Sequence, residues 1–523
     1  MTLRQTHTLI YLSVALFCGA TDRYASDSTL TAIGKEWETG ATQLRFRHDA
    51  TNGNPAARAY SSPFNHTRLT AQGKWAETAD TRPVETGAGE LTGSITAESY
   101  RHIGRETTVW GHAVFEAGKI KDVIWNNSAD YDLVGPYVIG DPVGGDLTRR
   151  SYDFGGGYAG QRDRWSWGME ASYLASIDYR GRDPRDKIVV SDLNLSVGGS
   201  FRPVNSTLAV GVAAKARIYN QTAAIEFYNP INDIPTYAMT GLGSFYPRFS
   251  GNSGRNTAYS GAGFSGMLSL FPTSGEHPVK AKVEVGHIRL RQYMRDFNNL
   301  ELTHTSTLTA TAEYGMLFGK VSPQTCGICY GFNLLGDFRR KRGTENLLGT
   351  GTGNSYPKIG ERDNYLATTL RVEATLPVEI CFASGDRLRL NPSCSYGSES
   401  QELTDPARKA SATSITPAVN VVWGHRFTKG AILTAEGAIS HKFTTPGEIY
   451  LTGLDKDSLL GKAVIHDISA MTSDATTCHL SAGISVPIAG SAALSVKATW
   501  QRIEMSRRCG SADYLSLSVG VSL

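Results

Sequence analysis

Strict two-residue alternation of apolar and polar side chains recurs along almost the whole chain. It constrains the fold more than any other feature. In 164–177, Trp165, Trp167, Met169, Ala171, Tyr173, Ala175 and Ile177 share one face, opposed by Arg164, Ser166, Gly168, Glu170, Ser172 and Ser176. The same period runs through 206–218, 279–285 and 366–376. It is cleanest at the end, where Leu515, Leu517, Val519, Val521 and Leu523 alternate with Ser516, Ser518, Gly520 and Ser522. A strand sends successive side chains to opposite faces, so this period specifies strands with one apolar and one polar face. A soluble β-sandwich alternates as well. These segments, however, run about 10–14 residues, against ~5–6 for soluble strands and ~9–11 for a tilted bilayer crossing. Their connections also alternate short and long, as in an outer-membrane barrel with tight periplasmic turns and long outer loops.

Strands begin near 65, 89, 105, 150, 164, 191, 206, 257, 279, 304, 325, 364, 387, 413, 431, 474, 491 and 512, which predicts 18 strands. The first two are weakest, so 14 or 16 are the rival counts. The long loops fall at 120–149, 219–256, 340–363 and 443–473. The expected fold class is all-β, one transmembrane antiparallel up-and-down barrel. It occupies 65–523, after a signal peptide at 1–20 and a polar, loop-like periplasmic or plug segment at 21–64. Arg4, the apolar run Leu9 to Phe17 and the small residues Cys18, Gly19 and Ala20 carry the signal reading, with export expected to the outer membrane of a Gram-negative cell.

Composition fits this architecture. Lys+Arg 52 against Asp+Glu 49 leaves +3, too little for a chain held to nucleic acid by bulk charge. Charged residues are only 19%, because the lipid-facing half of each strand cannot carry charge. Beyond the N-terminus no apolar run is long enough for a membrane-spanning helix. Six cysteines (Cys326, Cys329, Cys381, Cys394, Cys478 and Cys509) lie in the second half, and the sequence leaves their pairing open. Cys326 and Cys329 stand three apart on a strand, hence on opposite faces, which argues against a shared metal or bridge.

The polar strand faces would line a wet lumen. Lys215, Arg217, Lys280, Lys282, Glu284, Arg371, Glu373, Glu436 and Lys497 are its expected wall residues, and their mixed signs predict weak ion selectivity. The first functional reading is a porin-like channel or passive transporter for small solutes. The second is a plugged structural or binding barrel, closed by 21–64 or a long loop, whose outer loops 120–149 and 219–256 dock a surface lipoprotein, a transporter or another surface partner. Arg180, Arg182 and Arg185 could grip phosphate groups, although Asp183 and Asp186 beside them suit internal pairing. Arg339, Arg340, Lys341 and Arg342 open an outer loop and could meet anionic headgroups. Asp130, Asp132, Asp141 and Asp146 lack calcium-loop spacing and suit a turn-forming loop. No GxSxG, HExxH or GxxxxGK[ST] occurs, so neither an enzyme nor a cofactor nor a metal is expected. The expected partners are outer-membrane lipid and, during biogenesis, the barrel-assembly machinery.

Several segments, finally, look alike to a known family. Trp125-Asn126-Asn127, DYDLVGPYVIGDPVGGDL at 130–147, YDFGGGYAG at 152–160, YRGRDPRD at 179–186 and IYNQ at 218–221 together resemble an uncharacterised outer-membrane β-barrel family of the Bacteroidota. The resemblance is best over 60–230 and implies barrel and location, with no substrate or functional residue attached.

Overall fold

A computed structural model describes residues 31–523, except 79–80, 230, 232–233, 252–254, 275–277, 320–326, 489–491 and 507–509. The signal reading at 1–20 and two of the cysteines, Cys326 and Cys509, lie outside the described residues. The chain forms a single 19-segment antiparallel sheet closed on itself. Two of those segments, Lys358–Thr375 and Val378–Cys381, pair with the same neighbours, Gly327–Leu348 and Arg387–Leu403. They are one strand broken at Pro377, which has no N–H for the ladder. The barrel therefore has 18 strands. Closure joins the first strand, His66–Glu77, to the last, Ser511–Ser522, in register from Arg68↔Ser522 to Glu77↔Asp513. A closed wall leaves no unpaired edge for lipid to satisfy.

The alternation reads out directly as inside and outside. Leu91, Ile95, Trp167, Val212, Phe264, Leu268, Leu480 and Leu517 stand exposed on the outer face, where lipid covers them. Thirteen of the strands begin within two residues of their expected starts. The other five, at Gly145, Arg185, Leu300, Lys358 and Arg408, begin four to six residues early. All five begin at the outer end. There the wall continues above the membrane, the outer face meets water, and apolar–polar alternation no longer marks a strand.

The segment before the barrel departs from expectation. Expected to be loop-like, it holds helices Ala32–Thr39 and Thr42–Thr51. The first is capped by Thr31, whose Oγ1 accepts from Gly34 N at 3.3 Å. The outer loops also carry structure of their own. Loop 219–256 contributes the hairpin Thr236–Gly241 and Ser244–Gly251, which Ile139–Gly140 joins as a third strand. Loop 443–473 contributes helix Leu459–Thr472, capped by Ser458 Oγ on Gly461 N at 3.0 Å.

Candidate functional site

Residues 31–64 run as a belt around the inner wall, close to the short turns. Glu36 accepts from Arg68 at 3.2 Å and from Ser485 at 3.0 Å. Arg387 Nη1 donates to Trp37 O at 2.8 Å, and its guanidinium lies 4.4 Å from the Trp37 ring centroid. Arg389 donates to Gly40 O at 2.8 Å. Thr42 N donates to Glu379 at 2.7 Å, and Lys280 Nζ sits 4.6 Å over the Phe46 ring. Further on, Ser166 Oγ donates to Ala56 O at 3.1 Å and Tyr100 donates to Arg58 O at 2.7 Å. Two wall glycines permit the close approach. A Cβ on Gly168 would lie 2.5 Å from the Pro55 carbonyl carbon, and one on Gly198 would lie 2.1 Å from Asn54 Oδ1. The belt thus touches strands from Ala475–Pro487, through the far side, to Gly89–Ile103. With strands ~4.8 Å apart and tilted ~40°, 18 of them close at a backbone radius of about 18 Å. A helix with side chains is ~10–12 Å thick, so the belt takes more than half of that radius.

The outer end holds a second obstruction, a cap built from the long loops. Trp125, Val134, Val138, Met239 and Ala463 from the cap form one apolar core with Leu147, Ile188, Val190, Tyr219, Tyr259 and Leu290 of the wall. Wall lysines hold the C-terminal carbonyls of both cap helices. Lys341 Nζ donates to Asp132 O and Gly135 O at 2.8 Å and to Leu133 O at 3.2 Å, gathering the end of Tyr131–Val134. Lys442 Nζ donates to Met471 O at 3.2 Å at the end of Leu459–Thr472. A carboxyl pair ties the cap to loop 78–88. Glu85 hydrogen-bonds Asp467 and accepts from Tyr131 at 3.2 Å, while Val84 N donates to Asp467 at 3.2 Å. Burial, then the charge of Glu85, pushes Asp467 up to about 9, and burial raises Glu85 as well. The pair therefore shares a proton at neutral pH. Beside it lies a cavity of about 420 Å³, lined among others by Tyr131, Lys341, Tyr365, Lys442, Leu460 and Met471.

Between belt and cap the inward strand faces are charged and wet. Lys215 pairs with Glu284 at 2.8 Å, Arg217 with Asp192 at 2.7 Å, and Lys282 with Glu313 at 3.1 Å. Lys280 lies lower, on Glu313 at 2.5 Å and over the belt's Phe46. Arg371 meets Glu373 at 2.6 Å and Lys497 lies 3.7 Å from Glu436. The Arg371 and Lys497 side chains are 60% and 51% exposed although they face inward, which requires water in the chamber. The nine residues expected on the lumen wall thus stand in ion pairs. Alternation gave no signal for Glu379, Arg387, Glu85 or Asp467, which act at belt and cap.

The arginine loop divides. Arg180 is 1% exposed and lies between Asp141 at 2.9 Å and Asp186 at 2.8 Å, so it holds the cap and offers nothing to an outside ligand. Arg185 pairs with Asp183 at 3.0 Å and stacks over Tyr228, and Arg182 is exposed. Of the loop aspartates, Asp141 caps Val143 N and Gly144 N, and Asp130 accepts from Tyr219 at 2.7 Å. Cys329, Cys381, Cys394 and Cys478 are free thiols.

A closed barrel with lipid-facing apolar positions and a charged interior defines an outer-membrane-type β-barrel. More narrowly, the chain belongs to a family of unknown function, DUF6850, whose model matches residues 55–523. No curated protein matches it. Among solved structures, BauA, the ferric preacinetobactin receptor from Acinetobacter baumannii, matches at 10% identity and TM-score 0.39, covering 87% of this chain and 80% of that one. The siderophore receptor PirA from Pseudomonas aeruginosa matches at 10% identity and TM-score 0.34, with the same coverage of 87% and 80%. A Pseudomonas aeruginosa FadL homologue matches at 12% identity and TM-score 0.30, covering 94% and 97%. These neighbours are receptors and a FadL homologue rather than enzymes. At such scores the likeness does not extend to ligand or mechanism.

Proposed function

We propose that this protein is a gated outer-membrane transporter or receptor that rests closed. The observation that carries this reading is the chain's own occupation of its lumen at both ends, by the belt at the short-turn end and the loop cap at the other. It supports the plugged barrel over the open porin-like channel. A solute would be met at the cap, pass a chamber of balanced ion pairs, and leave when the belt moves. The belt suits displacement, because it is held by separate hydrogen bonds of ~0.5–1.5 kcal/mol net each and by small apolar clusters such as Ile33 and Trp37 on Ile432, whereas a strand of the wall is held by two full ladders. The cap, through loops 120–149 and 219–256, is the docking face for a surface lipoprotein or transporter partner. The Bacteroidota outer membrane is the proposed location, reached through the signal at 1–20 and the barrel-assembly machinery.

Liposome swelling in small sugars tests the gate. Vesicles holding the full chain should swell no faster than empty ones, and a variant lacking 31–62 should swell several-fold faster. Equal, fast swelling by both would remove the belt from any gating role.

A further inference from the structure

We propose that the outer wall carries a binding site for the phosphate groups of outer-leaflet glycolipid. The site is independent of how the lumen works. Alternation splits the basic run opening the third long loop. Arg339 and Lys341 turn inward onto cap carbonyls, while Arg340 and Arg342 turn outward and are exposed. Two strands away, His287, Arg289 and Arg291 share the outward face of Val283 and Val285. The strand between them, Leu300–Phe318, presents His304 and Ser306, and register brings the groups level. Arg289 faces Ser306, which faces Arg342; Arg291 faces His304; His287 and Arg340 flank Leu308. Arginines two strands apart lie roughly 10 Å from each other, a span suited to a headgroup with two phosphates.

Height places the cluster at the headgroup layer. One row lower the same face is apolar, running Val285, Ala310, Phe338 and Leu370. Tyr330, near the short-turn end of Gly327–Leu348, is also exposed on that face. From there to Arg340 is about ten residues, or ~34 Å of strand, which a tilt of ~40° reduces to ~25 Å, the height of the apolar band of such barrels. The cations therefore begin where hydrocarbon ends, on the long-loop side.

Charge is in surplus there. The local bases Arg289, Arg291, Arg340, Arg342 and Lys358 face the acids Glu301, Glu361 and Asp363. The contacts to two of the arginines are loose, with Arg291 3.9 Å from Glu301 and Arg342 3.4 Å from Asp363. Arg289 touches His304 at 3.2 Å. Guanidinium forks bind phosphate oxygens bidentately, and the headgroup layer screens them less than bulk water does. On the opposite wall the outward positions at that height mix single basic residues with apolar ones, Arg150 beside Ile177 and Lys187 beside Tyr179, so the arginines on the two strands are the denser part of a basic rim.

Native mass spectrometry of the purified full chain with added bisphosphorylated lipid A tests the site. The wild type should retain it about tenfold more than R289Q/R291Q/R340Q/R342Q, and more than it retains dephosphorylated lipid A or phosphatidylglycerol. Folding is checked by heat-modifiable migration, and R289Q/R340Q replaces the quadruple variant if that fails to fold. R162Q/R164Q, at a short turn, should bind as wild type. Equal retention by the patch variant, equal retention of dephosphorylated lipid A or phosphatidylglycerol, or equal loss in the turn control would overturn the proposal.

Discussion

Arg387 and Glu379 form a buried ion pair within the wall at 3.2 Å, with side chains 6% and 1% exposed, and from it they hold the belt by hydrogen bonds to Trp37 O and from Thr42 N. Removing one partner strands the other charge, which typically costs about 3–5 kcal/mol. R387A should accordingly lower the urea midpoint for belt release and for the whole barrel, whereas the apolar double substitution R387M/E379M should recover much of the loss. An R387A midpoint equal to wild type would mean that water reaches Glu379. Neither role was legible in the sequence, since both residues sit beside a turn where the period fails. The lumen pairs differ. Lys215, Lys280, Lys282, Glu284, Arg371 and Glu373 sit inside long alternating runs, so their face was readable, but cross-strand partners such as Asp192 and Glu313 depend on register, which a one-residue slip would change.

At the scale of elements, the strands were readable because lipid imposes the strictest pattern on them: every second residue must be apolar. The belt helices were not, because Ala32–Thr39 and Thr42–Thr51 are short and bury only a few apolar residues each, Ala32, Ile33 and Trp37 on Ile432 and Ala493, and Phe46 on Leu317, too few to set up a helical period. Helix Leu459–Thr472 was hidden in a loop whose length alone gave no period. That helix carries the cap's pH dependence. Asp467 ordinarily titrates near 3.8 and is pushed up to about 9 while it is packed beside Glu85, so the docked cap binds a proton that the released cap gives up. Cap docking is then fully favoured below about 4 and is lost as pH rises through about 9. Glu85, Tyr131 and His466 are the titratable groups around it. Proteolysis within 452–474 should accelerate between pH 7 and 10 in wild type and stay flat in D467N, which removes the ionisation and keeps an oxygen to accept from Val84. Cleavage that rises equally in both would place the pH response elsewhere.

The whole molecule is a wide barrel that its own chain fills from both ends, with a wet, charge-balanced chamber between. Its length was readable as one barrel, but closure was not, because whether a loop folds inward depends on surfaces that meet only after the wall forms. The near-neutral lumen keeps its meaning: once open, it should pass either sign of ion with little preference. Single-molecule conductance in planar bilayers tests closure most directly. The full chain, inserted at neutral pH and moderate voltage, should show a flat baseline broken at most by brief events, while the chain lacking 31–62 should give long steps of large conductance. Stable, large steps from the full chain under the same conditions would contradict a barrel closed at rest.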